Sequence, residues 1–183
     1  ELNGWMNGVQ SLGVGVSRGI PVFGAMKSDA SLPSTSGFQP EFTKYTMTWQ
    51  RTQNLPQRFS LRIYALGQYS QDRLLTGEQI VFGASTIGRG FTPALIAGDK
   101  GLGALLELRY DLAKDLGPHI SSPQVYISGD WANARTVASS SVAATSSSIN
   151  SSAVGLRLVV YKKTQIDFRL SSANQQIDTN DTR

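Results

Sequence analysis

The sequence contains no cysteine and a single histidine, His119. Without cysteine there is no disulfide, no thiolate metal site and no cysteine nucleophile. One histidine excludes a multi-histidine metal centre. His119 follows Leu116-Gly117-Pro118, a turn composition, and no motif links it to a serine and an acid, so a hydrolytic triad has nothing to rest on. No run of about 18 apolar residues occurs, which excludes a transmembrane helix. The opening Glu1-Leu2-Asn3-Gly4 lacks the basic and apolar regions of a signal peptide, and the chain reads as starting inside something larger. Charged residues make up only 16% of the chain, with 17 Lys and Arg against 13 Asp and Glu. That surplus is spread too thinly for a nucleic-acid partner.

What is present is a period of two. Tyr45, Met47 and Trp49 alternate with Lys44, Thr46, Thr48 and Gln50. Phe59, Leu61, Ile63 and Ala65 alternate with Ser60, Arg62 and Tyr64. Leu106, Leu108 and Tyr110 alternate with Glu107, Arg109 and Asp111, and Val154, Leu156 and Leu158 flank Gly155 and Arg157. Alternation of this kind is the signature of half-buried strands. It predicts eight of them, near 9–18, 42–53, 58–69, 76–84, 103–113, 122–132, 152–161 and 165–172. The connectors around residues 53–57 and 162–164 read as tight turns. Longer links fall at 19–41, 85–102, 113–123 and the serine-rich 137–153, and residues 173–183 read as a polar final loop.

An all-β chain with one apolar face per strand fits two architectures. A soluble sandwich or barrel turns that face inward. A transmembrane β-barrel turns it to lipid and keeps a polar lumen. Alternation alone does not choose. Three features lean to the membrane: strands of 8–12 residues, single charges of both signs at mid-strand on the polar face, and Trp49, Tyr69, Tyr110 and Trp131 towards strand ends on the apolar face. The glycines Gly13, Gly15 and Gly19 have the wrong spacing for a dinucleotide fingerprint and no helix follows, so they read as small residues on a strand.

The segment 76–110 carries the most specific pattern. A strand pattern leads into Gly88-Arg89-Gly90-Phe91, and a loop leads out through Gly98-Asp99-Lys100-Gly101. Glycine on both sides of an arginine permits a sharp turn and frees the guanidinium for a bidentate carboxylate. Residues 88–91 resemble the Arg-Gly-Phe/Tyr signature of the two-partner secretion transporters, the haemolysin and filamentous-haemagglutinin secretion/activation proteins. The flanks are similar too: Gly67-Gln68-Tyr69-Ser70 with Thr76-Gly77-Glu78-Gln79, then Glu107-Leu108-Arg109-Tyr110, then Ser152-Ala153-Val154-Gly155-Leu156-Arg157-Leu158. Gly88, where the family usually has Val or Tyr, Ile80 and Ser128 depart from the pattern.

The resemblance implies an antiparallel transmembrane β-barrel fragment, about eight strands of a sixteen-strand barrel, spanning residues 1–183. The final strand and the preceding periplasmic POTRA domains would lie outside the chain. The loop 85–102 is expected to fold into the lumen between 76–84 and 103–113. Its residues Gly88, Arg89, Gly90, Phe91, Gly98, Asp99 and Gly101 form the implied site, with Asp130 as the partner of Arg89 and Arg62, Glu107, Arg109 and Arg157 as lumen charges. The implied function is secretion, with or without activation, of a large unfolded exoprotein through the bacterial outer membrane (type V secretion). The expected partners are that exoprotein and outer-membrane lipid. No enzymatic step, metal or small-molecule cofactor is implied. The alternatives are a related barrel that inserts outer-membrane proteins or serves a contact-dependent toxin system, and a soluble ligand-binding β-barrel.

Overall fold

The structure is a computed structural model that describes residues 2–3, 7–20, 40–83, 86–112, 116–117, 119–139 and 143–178. Its strands, in chain order, are β1 (Leu2–Asn3), β2 (Gly8–Arg18), β3 (Thr43–Asn54), β4 (Phe59–Ser70), β5 (Ile80–Phe82), β6 (Ile96–Gly98), β7 (Lys100–Asp111), β8 (Ile120–Thr136), β9 (Thr145–Val160) and β10 (Thr164–Asp178). Eight of them form one antiparallel sheet in the order β1-β2-β3-β4-β7-β8-β9-β10, and β5 and β6 pair separately. Apart from the detour through β5 and β6, each strand lies beside its neighbour in sequence, the up-and-down arrangement that short hairpins produce. The first and last strands of this sheet do not pair with each other.

Three expectations need correction. Residues 76–84 are not a wall strand: 76–78 form a single 3-10 turn and Ile80–Phe82 pairs with Ile96–Gly98. The strand leading to the loop is therefore β4, which pairs directly with β7. The serine-rich tract is not all link, because β9 begins at Thr145 and pairs with β8 on one side and β10 on the other. The final polar stretch is strand as far as Asp178, opposite Ser146. Serine and asparagine there bring no apolar face; β9 is strand because β8 and β10 flank it on both sides, and β10 follows by pairing with β9 alone.

The register sorts the side chains as the alternation predicts. Thr52, Arg62, Glu107, Ser128, Ala153 and Ser171 stand in one row across the sheet and share one face. The opposite face carries Val14, Met47, Leu106, Ile127, Val154, Phe168 and Leu170, all exposed, with Val14 at 77% and Leu170 at 78%. The polar face is the covered one, for β5, β6 and their connections pack against it. A soluble barrel would show the reverse. A contiguous bare apolar face belonging to a sheet whose polar side is packed is what lipid exposure requires.

The apolar band also crosses the sheet obliquely. Register partners of Val14 lead through Met47, Gly67, Leu102, Asn133 and Ser148 to Gln176, whereas the apolar stretch of β10 is centred near Phe168. The band thus slides about eight residues over six strand intervals. At about 3.3 Å per residue and 4.8 Å per interval, the strands tilt about 40° from the normal to the band. Closed barrels tilt their strands by a similar amount.

Candidate functional site

Residues 71–83 and 86–99 leave the sheet after β4 and fold back over its polar face. Two carboxylates on the sheet and one within the segment hold them there. Asp130 on β8 accepts hydrogen bonds from the backbone N–H of Gly88 (2.7 Å) and Arg89 (3.5 Å), and from Ser151 Oγ on β9 (2.7 Å). Glu107 on β7, with no solvent exposure, receives the Arg89 guanidinium on Oε2. Its Oε1 faces Arg109 Nε at 2.5 Å and Arg157 at 3.7 Å. Asp99, also fully buried, has no cation beside it among the described contacts. It is satisfied by the N–H groups of Leu74 (2.9 Å) and Val137 (2.7 Å) and by Gln79 Nε2 (2.9 Å).

The expected pairing of Arg89 with Asp130 is therefore corrected. Asp130 does hold the loop, but through backbone amides; the guanidinium goes to Glu107, two residues further along the polar face. Alternation put both carboxylates on the right face and could not say which one the side chain reaches. The four charges named from sequence are brought together here. Arg62 stands opposite Glu107 in the register and lies in the field of Arg89, Arg109 and Arg157. Arg157 is further placed by Asp167 (3.1 Å), by Gln124 (2.8 Å) and by the Tyr126 ring, 4.9 Å from its guanidinium carbon. One buried carboxylate thus gathers several arginines, and this spot on the polar face is electropositive.

The glycines have specific uses. Gly88 has φ +81, and a Cβ there would stand 2.8 Å from Ile149 Cδ1. The departure from Val or Tyr at this position is thus a requirement of this chain's own loop. A Cβ on Gly101 would meet the Asn133 carbonyl at 2.7 Å, and one on Gly98 the Arg135 backbone at 2.6 Å. Phe91 closes the turn, its N–H bonded to the Gly88 carbonyl at 3.0 Å, and packs on the buried cluster.

That cluster was missed from the sequence. Ile80, Phe82, Ile87 and Ile96 of the folded-back segment pack on Leu105, Ala132, Ala134 and Ile149 of the sheet's polar face, with Tyr64 and Leu66 beside them. The available signal was that Leu66, Leu105, Ala132, Ala134 and Ile149 are apolar at positions where alternation calls for polar residues. They form a dry pad inside an otherwise polar face. No group of His, Asp or Glu side chains with the arrangement of a metal site occurs among the described residues.

The sequence model of the haemolysin secretion/activation protein family ShlB/FhaC/HecB matches residues 2–158. The solved structure of CdiB from Escherichia coli has a similar fold, with a TM-score of 0.74 at 21% sequence identity. The match takes in 96% of this chain and 32% of that one, so the chain spans about a third of the length of the solved protein. No curated protein sequence matches it.

Proposed function

The chain belongs to the haemolysin secretion/activation protein family ShlB/FhaC/HecB, and from that membership we propose that it forms part of the wall and inward loop of an outer-membrane pore that secretes a large exoprotein. The partners are the unfolded exoprotein in the lumen and lipid around the wall. The observation that carries this reading is the clamp on the polar face. Residues 86–99 are fastened to the polar face of a sheet whose other face is apolar, by Glu107 to a guanidinium and by Asp130 to the backbone. Transport needs no bond to form or break. It needs a wetted, weakly adhesive wall and a loop whose position sets the width of the passage. Mixed charges at mid-strand supply the first, and the clamp supplies the second.

The test is made in the intact transporter. Arg89→Ala is expected to leave the barrel inserted, with heat-modifiable migration on a denaturing gel, while secretion falls at least about tenfold; one lost charged pair of this kind is worth several kcal/mol. Glu107→Gln is expected to behave alike, and the double variant to be little worse than either. Arg89→Lys should not restore transport, because lysine lacks the planar fork. Losses that multiply independently, or normal secretion by Arg89→Ala, would remove the clamp from the mechanism.

A further inference from the structure

The outward face of the sheet has a charge pattern that transport does not use. Among strand residues whose side chains are described, no outward position carries Asp or Glu, and the basic ones are Arg18, Arg51, Lys100 and Arg135. Two of these are register partners, Lys100 on β7 and Arg135 on β8. Lys100 stands one outward position beyond Leu102, and Arg135 two beyond Trp131, which is where the apolar band ends on those strands. With strands tilted about 40°, each outward step climbs about 5 Å. The pair therefore stands roughly 5–10 Å above the last apolar side chains, at headgroup rather than acyl level.

The end of the sheet on which they lie follows from the connections. The tight connections between β3 and β4 (55–58) and between β9 and β10 (161–163) lie at one end, and the chain spends far more residues at the other, between Arg18 and Thr43 and between Ser70 and Lys100. Outer-membrane barrels keep short turns in the periplasm and long loops outside. Lys100 and Arg135 lie at the long-link end, and so in the outer leaflet.

Their surroundings fit one kind of molecule. Asn133, between Trp131 and Arg135, accepts from Arg135 Nε at 3.3 Å and donates to Ser146 Oγ at 3.0 Å and Ser148 Oγ at 2.9 Å. Ser146 is buried beneath them, so the Asn133 amide and the Ser148 hydroxyl form the ledge beside the two cations. Below it the apolar face is grooved, a cavity of about 860 Å³ lined by Leu106, Ile127, Val154 and Leu170. Read from top to bottom there are two cations for phosphate, a hydroxyl-and-amide ledge for sugar, an indole at the interface and a groove for acyl chains. We propose that Lys100 and Arg135 form a binding site for a phosphorylated glycolipid of the outer leaflet, of the lipid A class. The site holds the wall at β7–β9 in register with the membrane, behind the strands that carry Glu107 and Asp130.

The inference rests on the membrane reading of the fold and not on the clamp. The intact transporter is inserted into phosphatidylethanolamine vesicles with diphosphoryl lipid A, with lipid A stripped of both phosphates, or with neither. Each basic residue at an anionic lipid surface is worth about fivefold, so Lys100→Gln with Arg135→Gln should weaken diphosphoryl lipid A binding by about 25-fold. Arg51→Gln, at the opposite rim, should not change it, and inorganic phosphate alone should not compete. The assembled fraction of each variant is read in detergent, so a folding defect is seen as such. Equal binding of the stripped lipid, or unchanged binding by the double variant, overturns the proposal. Failure to enter lipid A-free vesicles would instead overturn the membrane reading itself.

Discussion

Asp99 and Asp130 show how differently two buried carboxylates on one face can work. Asp99 gathers Leu74 and Gln79 of the folded-back segment and Val137 beyond β8 around a group with no solvent access. An asparagine there would present an amide donor to N–H groups that need an acceptor, leaving buried donors unmet at about 1–3 kcal/mol each. Asp99→Asn is therefore expected to impair assembly itself, seen as a lower heat-modifiable fraction. Asp130→Asn keeps one oxygen for Gly88 and is expected to leave assembly intact while loosening the loop. Limited proteolysis from outside should then cut within residues 86–99 faster than in the wild type. Gly88→Ala should loosen the same loop by another route. Its φ of +81 and the 2.8 Å approach to Ile149 act together, and positive φ alone costs an alanine about 1–3 kcal/mol.

At the scale of the element, a strand here has two different neighbours, and its sides are not interchangeable. Leu106 and Ile127 face outward at mid-band, and Glu107 and Ser128 face inward beside them. A charge at the lipid midplane costs about 2–4 kcal/mol. Leu106→Arg or Ile127→Arg should therefore reduce the assembled fraction sharply, and Ser128→Ala, on the inward face, should not. Labelling of single cysteines with a lipid-soluble reagent checks the same assignment, with strong labelling at 106 and 127 and none at 107. The hairpin of β5 and β6 obeys a different rule. Its Ile80, Phe82 and Ile96 bury against an apolar pad on the polar face, so here apolar residues mark contact with protein. Gly155 lies beneath the Tyr126 ring, whose Cε1 would stand 2.6 Å from an added Cβ. That contact, with the Tyr126 hydroxyl on Asp167 at 2.6 Å, locks β8, β9 and β10 in register.

For the whole molecule, the oblique apolar band ties curvature to function. A sheet tilted about 40° closes only with the strand number and shear that suit it. The sheet described here ends at β1 and β10 without pairing them. Residues 1–183 expressed alone should accordingly not give a monomeric, water-soluble, protease-resistant species. Each open edge would leave a row of backbone groups unpaired, at several kcal/mol apiece in hydrocarbon. Size-exclusion chromatography with limited proteolysis decides it, and recovery of such a species would count against the lipid-facing assignment.

The sequence by itself determined the faces. A strand's side-chain period is two, so alternation assigned Arg62, Glu107, Arg109, Asp130 and Arg157 to one side and Leu106, Ile127 and Val154 to the other before any partner was known. It also placed the glycine-flanked Arg89 in a turn. The tertiary structure alone decided how far along a face each contact falls. Arg89 meets Glu107 rather than Asp130 because the hairpin of β5 and β6 settles on Leu105, Ala132, Ala134 and Ile149, and that docking sets the row the guanidinium reaches. The alternation of Ile80 and Phe82 marks a strand but is silent on whether its hydrogen bonds go to the wall or to Ile96–Gly98. The serine tract could not be read because strand there is imposed by the neighbours on both sides, whose open N–H and C=O groups must be met whatever the side chains are.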